Sequence, residues 1–185
     1  MKYINFILLF LLSIFNSNYS QANDLVISEL QKGGKIVFIR HSLAPGNGDP
    51  DNIDLTKCDT QRNLNQEGIE QSKNIGILFS DNNIQIDKVL SSEWCRCKDT
   101  AKYAFGNFKE FSALNSTYTP PYDQNEKQQI KDLKKYVNNW NGKGGNLVLV
   151  THYVIILAIT GETTRSGEIV ITDKNFKVLS KINTF

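Results

Sequence analysis

Short apolar runs alternate along the chain with longer segments whose apolar residues recur at helical spacing. The runs at 36–39 and 147–150 are continuous and rich in branched residues, which is typical of strands buried on both faces of a sheet. A turn at 173–175 joins two further runs that we expect to form an antiparallel pair. The strands predicted in this way are residues 36–39, 86–91, 147–150, 169–172 and 178–182.

Helical periodicity is clearest at 125–140, where Ile130, Leu133, Val137 and Trp140 lie on one face with lysines between them. This spacing predicts an amphipathic helix. The complete set of predicted helices is residues 24–31, 65–79, 95–105, 125–140 and 154–159. Because strands alternate with helices, the sequence predicts one α/β domain with a mostly parallel sheet.

A long polar segment, residues 42–62, separates the first strand from the second helix. It contains two prolines and two glycines and few residues that could enter a core. Structureless segments of this length inside a compact domain are usually functional. We therefore expect this loop to contribute to a site.

The first 22 residues have the pattern of a signal peptide. Lys2 is their only charge, residues 4–15 are almost wholly apolar, and Ser20-Gln21-Ala22 resembles a cleavage site. We predict a signal peptide at 1–22, an exported protein and one domain at 23–185, with a retained N-terminal anchor as the alternative. The apolar run is short for a membrane span, so no stable span is expected after cleavage.

The net charge of +2 comes from interspersed lysines and acids without a basic run, so no nucleic-acid partner is predicted. Three cysteines occur, Cys58, Cys95 and Cys97. An exported chain permits a disulfide, for which Cys58 with either of the other two is favoured. A zinc site is disfavoured because one Cys-x-Cys and a distant cysteine lack the paired spacing of such sites.

The chain has two histidines, and each directly follows a predicted buried strand: His41 and His152. The carboxyl ends of parallel strands share one edge of a sheet, where α/β sites form. Arg40, Arg96 and Arg62 lie near the same edge. Guanidinium groups match phosphate oxygens, a neutral imidazole can attack phosphorus, and a second, protonated imidazole can stabilise the transferring group. The sequence therefore predicts a phosphate site, against the alternative that these groups are structural.

Four segments resemble motifs of the histidine phosphatase superfamily, which has the phosphoglycerate-mutase-like fold. Residues 38–41, FIRH, resemble its arginine-histidine motif, and 63–68, NLNQEG, resemble its L-T-x-x-G helix start. Residues 90–101, LSSEWCRCKDTA, resemble its S-x-x-x-R-x-x-x-T-A segment. Residues 150–152, VTH, resemble the strand end that carries its second histidine. Order and spacing agree over roughly 33–182.

This resemblance implies a single-domain, three-layer α/β/α architecture with helices on both faces of the sheet. It implies that His41 is a nucleophile that becomes phosphohistidine. Arg40, Arg96 and His152 complete the phosphate pocket in this reading, with Arg62 nearby. A small phosphorylated substrate is implied, without a metal or organic cofactor, and no oligomeric state follows.

The loop with residues 44–46 and Cys58, together with 94–97, resembles a subgroup of small exported bacterial members of this superfamily. In that reading Cys58 ties the loop to the helix of Arg96 through a disulfide. The expected location is the periplasm or the exterior of a bacterial cell.

Three positions depart from the motifs. Ser42 and Tyr153 replace glycines that often follow the two histidines, and 113–116 lacks the carboxylate that many members carry there. A leaving-group acid commonly contributes about 10²–10⁴-fold to the rate. Of four other carboxylates, Glu93 is favoured as this acid because it lies three residues before Arg96. The other three are Asp49, Asp51 and Asp123.

Two functional hypotheses follow. The first is an exported phosphatase that hydrolyses a small phosphomonoester through phosphorylated His41. The second is a non-catalytic protein of the same fold that binds a phosphorylated ligand and lacks the acid. Retention of both histidines favours the enzyme. The missing carboxylate favours the binding protein, and more so if neither Glu93 nor Asp123 faces the pocket.

Overall fold

A six-stranded sheet forms the centre of the structure, a computed structural model that describes residues 25–184. Its strands are β1 (Ile36–Arg40), β2 (Ile86–Ser91), β3 (Lys109–Glu110), β4 (Asn146–Thr151), β5 (Ile169–Thr172) and β6 (Val178–Ile182). The spatial order is β3-β2-β4-β1-β5-β6. The first four strands run parallel, while β5 is antiparallel to both of its neighbours. The predicted mostly parallel sheet and the predicted antiparallel pair at its end are both confirmed.

Helices cover both faces of this sheet. They are α1 (residues 25–31), α2 (Gln66–Asp81), α3 (Cys95–Phe105), α4 (Glu126–Asn139) and α5 (Tyr153–Thr160). Val37 and Ile39 of β1 join the buried cluster that contains residues of α2 and α3. Ile36 and Phe38 join the opposite cluster, against α4 and α5. The three-layer α/β/α architecture is therefore confirmed, and β1 is buried on both faces.

All predicted strands and helices are present, with ends that differ by one or two residues. The strand that the sequence analysis misses is β3, Lys109–Glu110, whose two residues are charged and exposed. No apolar pattern marks it, because it pairs with β2 through its backbone alone at the sheet edge. Three short 3₁₀ turns lie within or beside the segments predicted as loops.

The predicted signal peptide, residues 1–22, lies outside the described residues. Within 25–184 the structure contains no helix that is both long and apolar enough to cross a bilayer.

Two contacts place the loop that follows β1. The side chain of Asn65 caps α2 by accepting a hydrogen bond of 2.8 Å from the backbone N–H of Gly68. Gly68 itself lies against Leu43, and a Cβ atom at this position would be 2.1 Å from the Leu43 carbonyl oxygen. Only glycine therefore allows α2 to pack this closely on the chain beyond His41.

A disulfide joins Cys58 to Cys95, and Cys97 is a buried free thiol. The pairing confirms the expectation that Cys58 ties the loop to the helix of Arg96. The bond links the distal part of the loop, residues 42–62, to the first residue of α3.

Candidate active site

A polar cleft lies at the carboxyl ends of β1 and β4. The two imidazole rings meet there, with centroids 5.4 Å apart in an edge-on arrangement. The residues that line the cleft are Arg40, His41, Gly46, Asn47, Gly48, Asp49, Arg62, Arg96, Ser116, Tyr118, Thr119, His152 and Tyr153. Both histidines and all three arginines singled out in the sequence thus converge on one site.

The position and tautomer of His41 follow from two hydrogen bonds. Its backbone N–H donates to the Thr151 carbonyl at 2.9 Å, which continues the pairing of β1 with β4. Its Nδ1 lies 2.8 Å from the Ser42 carbonyl oxygen, which can only accept. The ring proton of the neutral imidazole is therefore on Nδ1, and the lone pair is on Nε2.

Burial lowers the pKa of His41 well below its usual value of 6.5, and the charges of Arg96, Arg40 and Arg62 lower it further. The hydrogen bond to the Ser42 carbonyl opposes this shift without reversing it. His41 is therefore a neutral imidazole near pH 7, the form in which Nε2 can act as a nucleophile.

His152 has the opposite tautomer. Its Nδ1 lies 3.4 Å from Nη2 of Arg96, which can only donate, so the ring proton of the neutral form is on Nε2. Nε2 lies 3.0 Å from Oγ of Ser92 and 3.4 Å from Sγ of Cys97. Burial and the positive charge of Arg96 also hold the pKa of His152 well below its usual value. The sequence analysis expects a protonated His152, whereas this environment favours the neutral ring.

Ser92 and Cys97 are site residues that the sequence analysis misses. Both contact Nε2 of His152 from the side of α3 and the β2 end. Burial raises the pKa of the Cys97 thiol to about 12, so the thiol stays protonated. Ser92 is the first residue of the S-x-x-x-R pattern. This pattern indicates that Ser92 lies close to Arg96, but it does not indicate the contact with His152.

Backbone carbonyls fix the guanidinium groups of Arg40 and Arg62, and Asp49 pairs with that of Arg96. Arg40 donates from Nη1 to the Thr164 carbonyl at 2.6 Å, and Arg62 donates from Nε to the Gly48 carbonyl at 2.9 Å. The Nε atoms of Arg40 and Arg96 are buried and have no hydrogen-bond partner among the described residues. An oxyanion bound between these groups would accept such donors, so the site fits a phosphoryl group.

Asp49, not Glu93, is the carboxylate that lines the cleft. Glu93 is absent from the cleft wall, and its carboxylate accepts a hydrogen bond from the Asn115 amide. Asp51 and Asp123 are absent from the wall as well. The preference for Glu93 rested on its place one turn before Arg96, and the structure turns its carboxylate toward Asn115 instead.

Two tyrosines form one side of the cleft. The rings of Tyr118 and Tyr153 are 5.8 Å apart, and the guanidinium of Arg40 lies 5.3 Å from the centre of the Tyr153 ring. Tyr153 therefore replaces a motif glycine with an aromatic wall. Within residues 25–184, no cluster of three or more His, Cys, Asp or Glu side chains is arranged to hold a metal ion.

The stability of the protein is expected to fall as the pH is lowered from 6.5 to 5. In the folded chain the depressed pKa values keep His41 and His152 neutral, whereas in the unfolded chain both rings bind protons below 6.5. The unfolded state then binds up to two more protons, so the slope approaches at most about 3 kcal/mol per pH unit. Urea unfolding at several pH values measures this slope. Replacement of His41 by glutamine should halve it, and a flat profile in wild type would contradict the assignment of two buried neutral rings.

Comparison with solved structures identifies the fold. The protein histidine phosphatase SixA, complexed with tungstate, is 13% identical, with a TM-score of 0.56 over 81% of this chain and 97% of that one. The phosphoglycerate mutase of Thermus thermophilus is 17% identical, with a TM-score of 0.56 over 80% and 98%. A mutant phosphoserine phosphatase of Entamoeba histolytica, in complex with phosphoserine, is 15% identical, with a TM-score of 0.59 over 81% and 97%.

No protein-family model and no curated protein sequence matches the chain. The structural likeness nevertheless spans almost the full length of each of these three proteins, and all three are enzymes that carry or remove phosphoryl groups by name. The chain therefore has the phosphoglycerate-mutase-like fold.

Proposed function

We propose that the protein is an exported phosphatase that hydrolyses a small phosphomonoester through a phosphohistidine intermediate on His41. One observation carries this proposal: His41, with its lone pair on Nε2, shares a buried cleft with three guanidinium groups. A nucleophile and an oxyanion site are thus in one place, which is the minimum that covalent phosphoryl transfer requires. The names of the proteins with the same fold support this reading.

In the first chemical step, the forks of Arg40, Arg62 and Arg96 hold the phosphoryl oxygens. His41 Nε2 attacks phosphorus, the bond from phosphorus to the leaving oxygen breaks, and that oxygen takes up a proton. In the second step, a water attacks phosphorus and displaces His41, which releases inorganic phosphate and restores the neutral ring. The guanidinium charges stabilise the phosphoryl oxygens in both transition states.

His152 contributes from the opposite wall of the cleft. Its ring is held by Ser92 on one side and by Arg96 on the other. Burial, and after it the positive charge of Arg96, hold the pKa of His152 low. A bound phosphoryl dianion would oppose the effect of that charge, because an opposite charge nearby favours the protonated imidazole. The cation that the sequence analysis expects would then form with the substrate in place.

Export is supported by two features. The sequence of residues 1–22 has the pattern of a signal peptide, and the Cys58–Cys95 disulfide is compatible with an oxidising compartment. The proposed location is therefore the bacterial periplasm or the medium.

The second candidate is a non-catalytic protein that binds a phosphorylated ligand. It is favoured by the stretch 113–116, which lacks a carboxylate, and by the absence of Glu93 and Asp123 from the cleft wall. It is opposed by the chemically competent tautomer of His41, which ligand binding alone does not need.

Turnover and binding assays on the same purified protein separate the two candidates. Phosphate release from p-nitrophenyl phosphate, phenyl phosphate and alkyl phosphates is measured between about pH 4 and 8, where histidine titrates. Tungstate binding is measured by calorimetry in parallel. Turnover on at least one ester supports the phosphatase, whereas tungstate binding without any turnover supports the binding protein.

Replacement of Arg40 by glutamine is expected to raise the KM for a phosphomonoester and the Kd for tungstate about 10- to 100-fold, because a charged hydrogen-bond donor is lost. Arg40→Lys keeps the charge but not the planar fork and should recover only part of the affinity. Arg165, an exposed arginine outside the cleft, provides the matched control as Arg165→Gln. Equal affinities for wild type and Arg40→Gln would remove Arg40 from the phosphate site.

A further inference from the structure

We propose that Asp49 is the acid that protonates the leaving-group oxygen, an inference that rests on the proposed phosphatase function. Asp49 comes from the loop between β1 and α2, whereas the motif position for this acid is the stretch 113–116, which follows β3 along the chain. The protein thus supplies the carboxylate from a different segment of the chain.

The carboxylate of Asp49 is held against the guanidinium of Arg96. Its Oδ1 lies 2.7 Å from Nη1 of Arg96 and accepts the backbone N–H of Arg62 at 3.0 Å. Its Oδ2 accepts from the indole N–H of Trp94 at 3.1 Å. The side chain is 10% exposed, and that of Arg96 is 3% exposed. A phosphoryl group that binds Arg96 therefore lies directly beside this carboxylate.

Charge determines when Asp49 carries a proton. Burial alone would raise the pKa of Asp49, but hydrogen bonds and charge from Arg96, with further hydrogen bonds from Arg62 and Trp94, hold it below the usual value. An arriving phosphoryl dianion competes for Arg96 and places like charge beside the carboxylate. Two anions that close together favour uptake of one proton from solvent, as paired carboxylates do in hydrolases, and Asp49 holds this proton when the ester is bound.

Other groups that face this part of the cleft set the balance of charge. Besides Asp49 and Arg96, the charged or titratable side chains that line it are Arg40, Arg62, His41, His152, Tyr118 and Tyr153. Arg40 and Arg62 each add one positive charge, and both imidazoles are neutral before the dianion arrives. Asp49 is thus the one carboxylate among the described residues that line the cleft, and the one anionic group that can take up the proton there.

The proton balance closes without a further reactant. As the bond from His41 Nε2 to phosphorus forms, the bond from phosphorus to the leaving oxygen breaks, and Asp49 gives its proton to that oxygen to produce an alcohol. Asp49, now a carboxylate, then takes a proton from the water whose oxygen attacks phosphorus. Inorganic phosphate leaves, and the lone pair returns to Nε2 of His41.

The test replaces Asp49 by asparagine and compares leaving groups. The amide keeps the shape of the side chain and an acceptor for Trp94 or Arg62, but it cannot donate an acidic proton. We expect kcat/KM to fall about 10²–10⁴-fold for alkyl phosphates, which need an acid, and by much less for p-nitrophenyl phosphate, whose leaving group does not. Asp51→Asn, an exposed carboxylate two residues along the same loop, is the matched control and should match wild type on both substrates.

A purely structural role for Asp49 predicts a different pattern. If Asp49 only positions Arg96, the variant should lose the same factor on every ester and bind tungstate more weakly, and this outcome would overturn the proposal. Wild type supplies a second test that needs no variant: with an acid in place, its kcat/KM should depend only weakly on the pKa of the leaving group. A steep dependence in wild type would also overturn it.

The same assays distinguish a failure of the proposed function from a failure of the Asp49 assignment. If wild type hydrolyses none of the esters, both the phosphatase and its acid are rejected together. A second outcome is that wild type is active through His41 while Asp49→Asn lowers kcat/KM by the same factor for every leaving group. In that case the phosphatase stands and only the assignment of Asp49 is rejected.

Discussion

Replacement of His41 by alanine is expected to lower phosphomonoester turnover by at least about 10³-fold, because the proposed nucleophile is lost. The lone pair of His41 Nε2 faces the cleft because Nδ1 donates to the Ser42 carbonyl. His41→Gln is the sharper variant, since its amide can still donate to that carbonyl but cannot attack phosphorus. Both variants should be almost inactive, and both should still bind tungstate through the arginines.

The intermediate provides a direct measurement. Wild type that is quenched in alkali during turnover should carry one phosphoryl group on the peptide that contains His41, as read by mass spectrometry. Neither variant should carry it. Turnover of His41→Ala within about tenfold of wild type would reject His41 as the nucleophile, and so would a phosphorylated variant.

Simultaneous replacement of Cys58 and Cys95 by alanine is expected to lower the free energy of unfolding by about 3–4 kcal/mol. The disulfide closes a loop with a sequence separation of 37 residues, and cross-linking a loop of this size restricts the unfolded chain. The bond also holds the segment that carries Arg62 against the start of α3. The double variant should therefore bind tungstate more weakly as well as unfold more readily.

Urea unfolding with and without a reducing agent checks this expectation. Reduced wild type should approach the double variant, while the double variant should not respond to the reducing agent. Cys97 stays in place throughout, since it contacts His152. A difference in stability below about 1 kcal/mol between oxidised wild type and the double variant would show that the loop is held by its other contacts.

The central layers of the fold could be predicted from the sequence, because strands that are buried on both faces appear as continuous apolar runs. The continuous apolar runs at 36–39 and 147–150 became β1 and β4, and both histidines follow directly from them. Once two parallel strands are placed side by side, their ends coincide, so the meeting of His41 with His152 was predictable. The strand β3 was not predictable, since a two-residue exposed edge strand has no side-chain pattern.

The carboxylate that lines the cleft could not be predicted from the sequence, for a different reason. Glu93 was favoured by its short distance along the chain from Arg96, but it does not line the cleft, and its carboxylate accepts a hydrogen bond from Asn115, which lies 22 residues further on. Asp49 reaches Arg96 across 47 positions, through a loop whose path depends on a disulfide and on backbone hydrogen bonds. Neither the disulfide nor the backbone hydrogen bonds produce a periodic pattern that can be recognised in a single sequence.

The protonation of His152 shows the same distinction. Its position came from the strand that precedes it, whereas its charge depends on burial and on how closely Arg96 approaches. That approach brings Nη2 within 3.4 Å of Nδ1, a distance set by the packing of α3 on the sheet. The location of His152 could therefore be predicted from the sequence, whereas its protonation state could be assigned only from the folded structure.

The strand order has a consequence for how the protein is made. Ile36 in β1 pairs with Leu147 on one side and with Thr172 on the other, so the central strand has neither neighbour until most of the chain has left the ribosome. Both walls of the cleft depend on that late pairing. A nascent chain of this topology therefore remains without its central sheet through most of its synthesis.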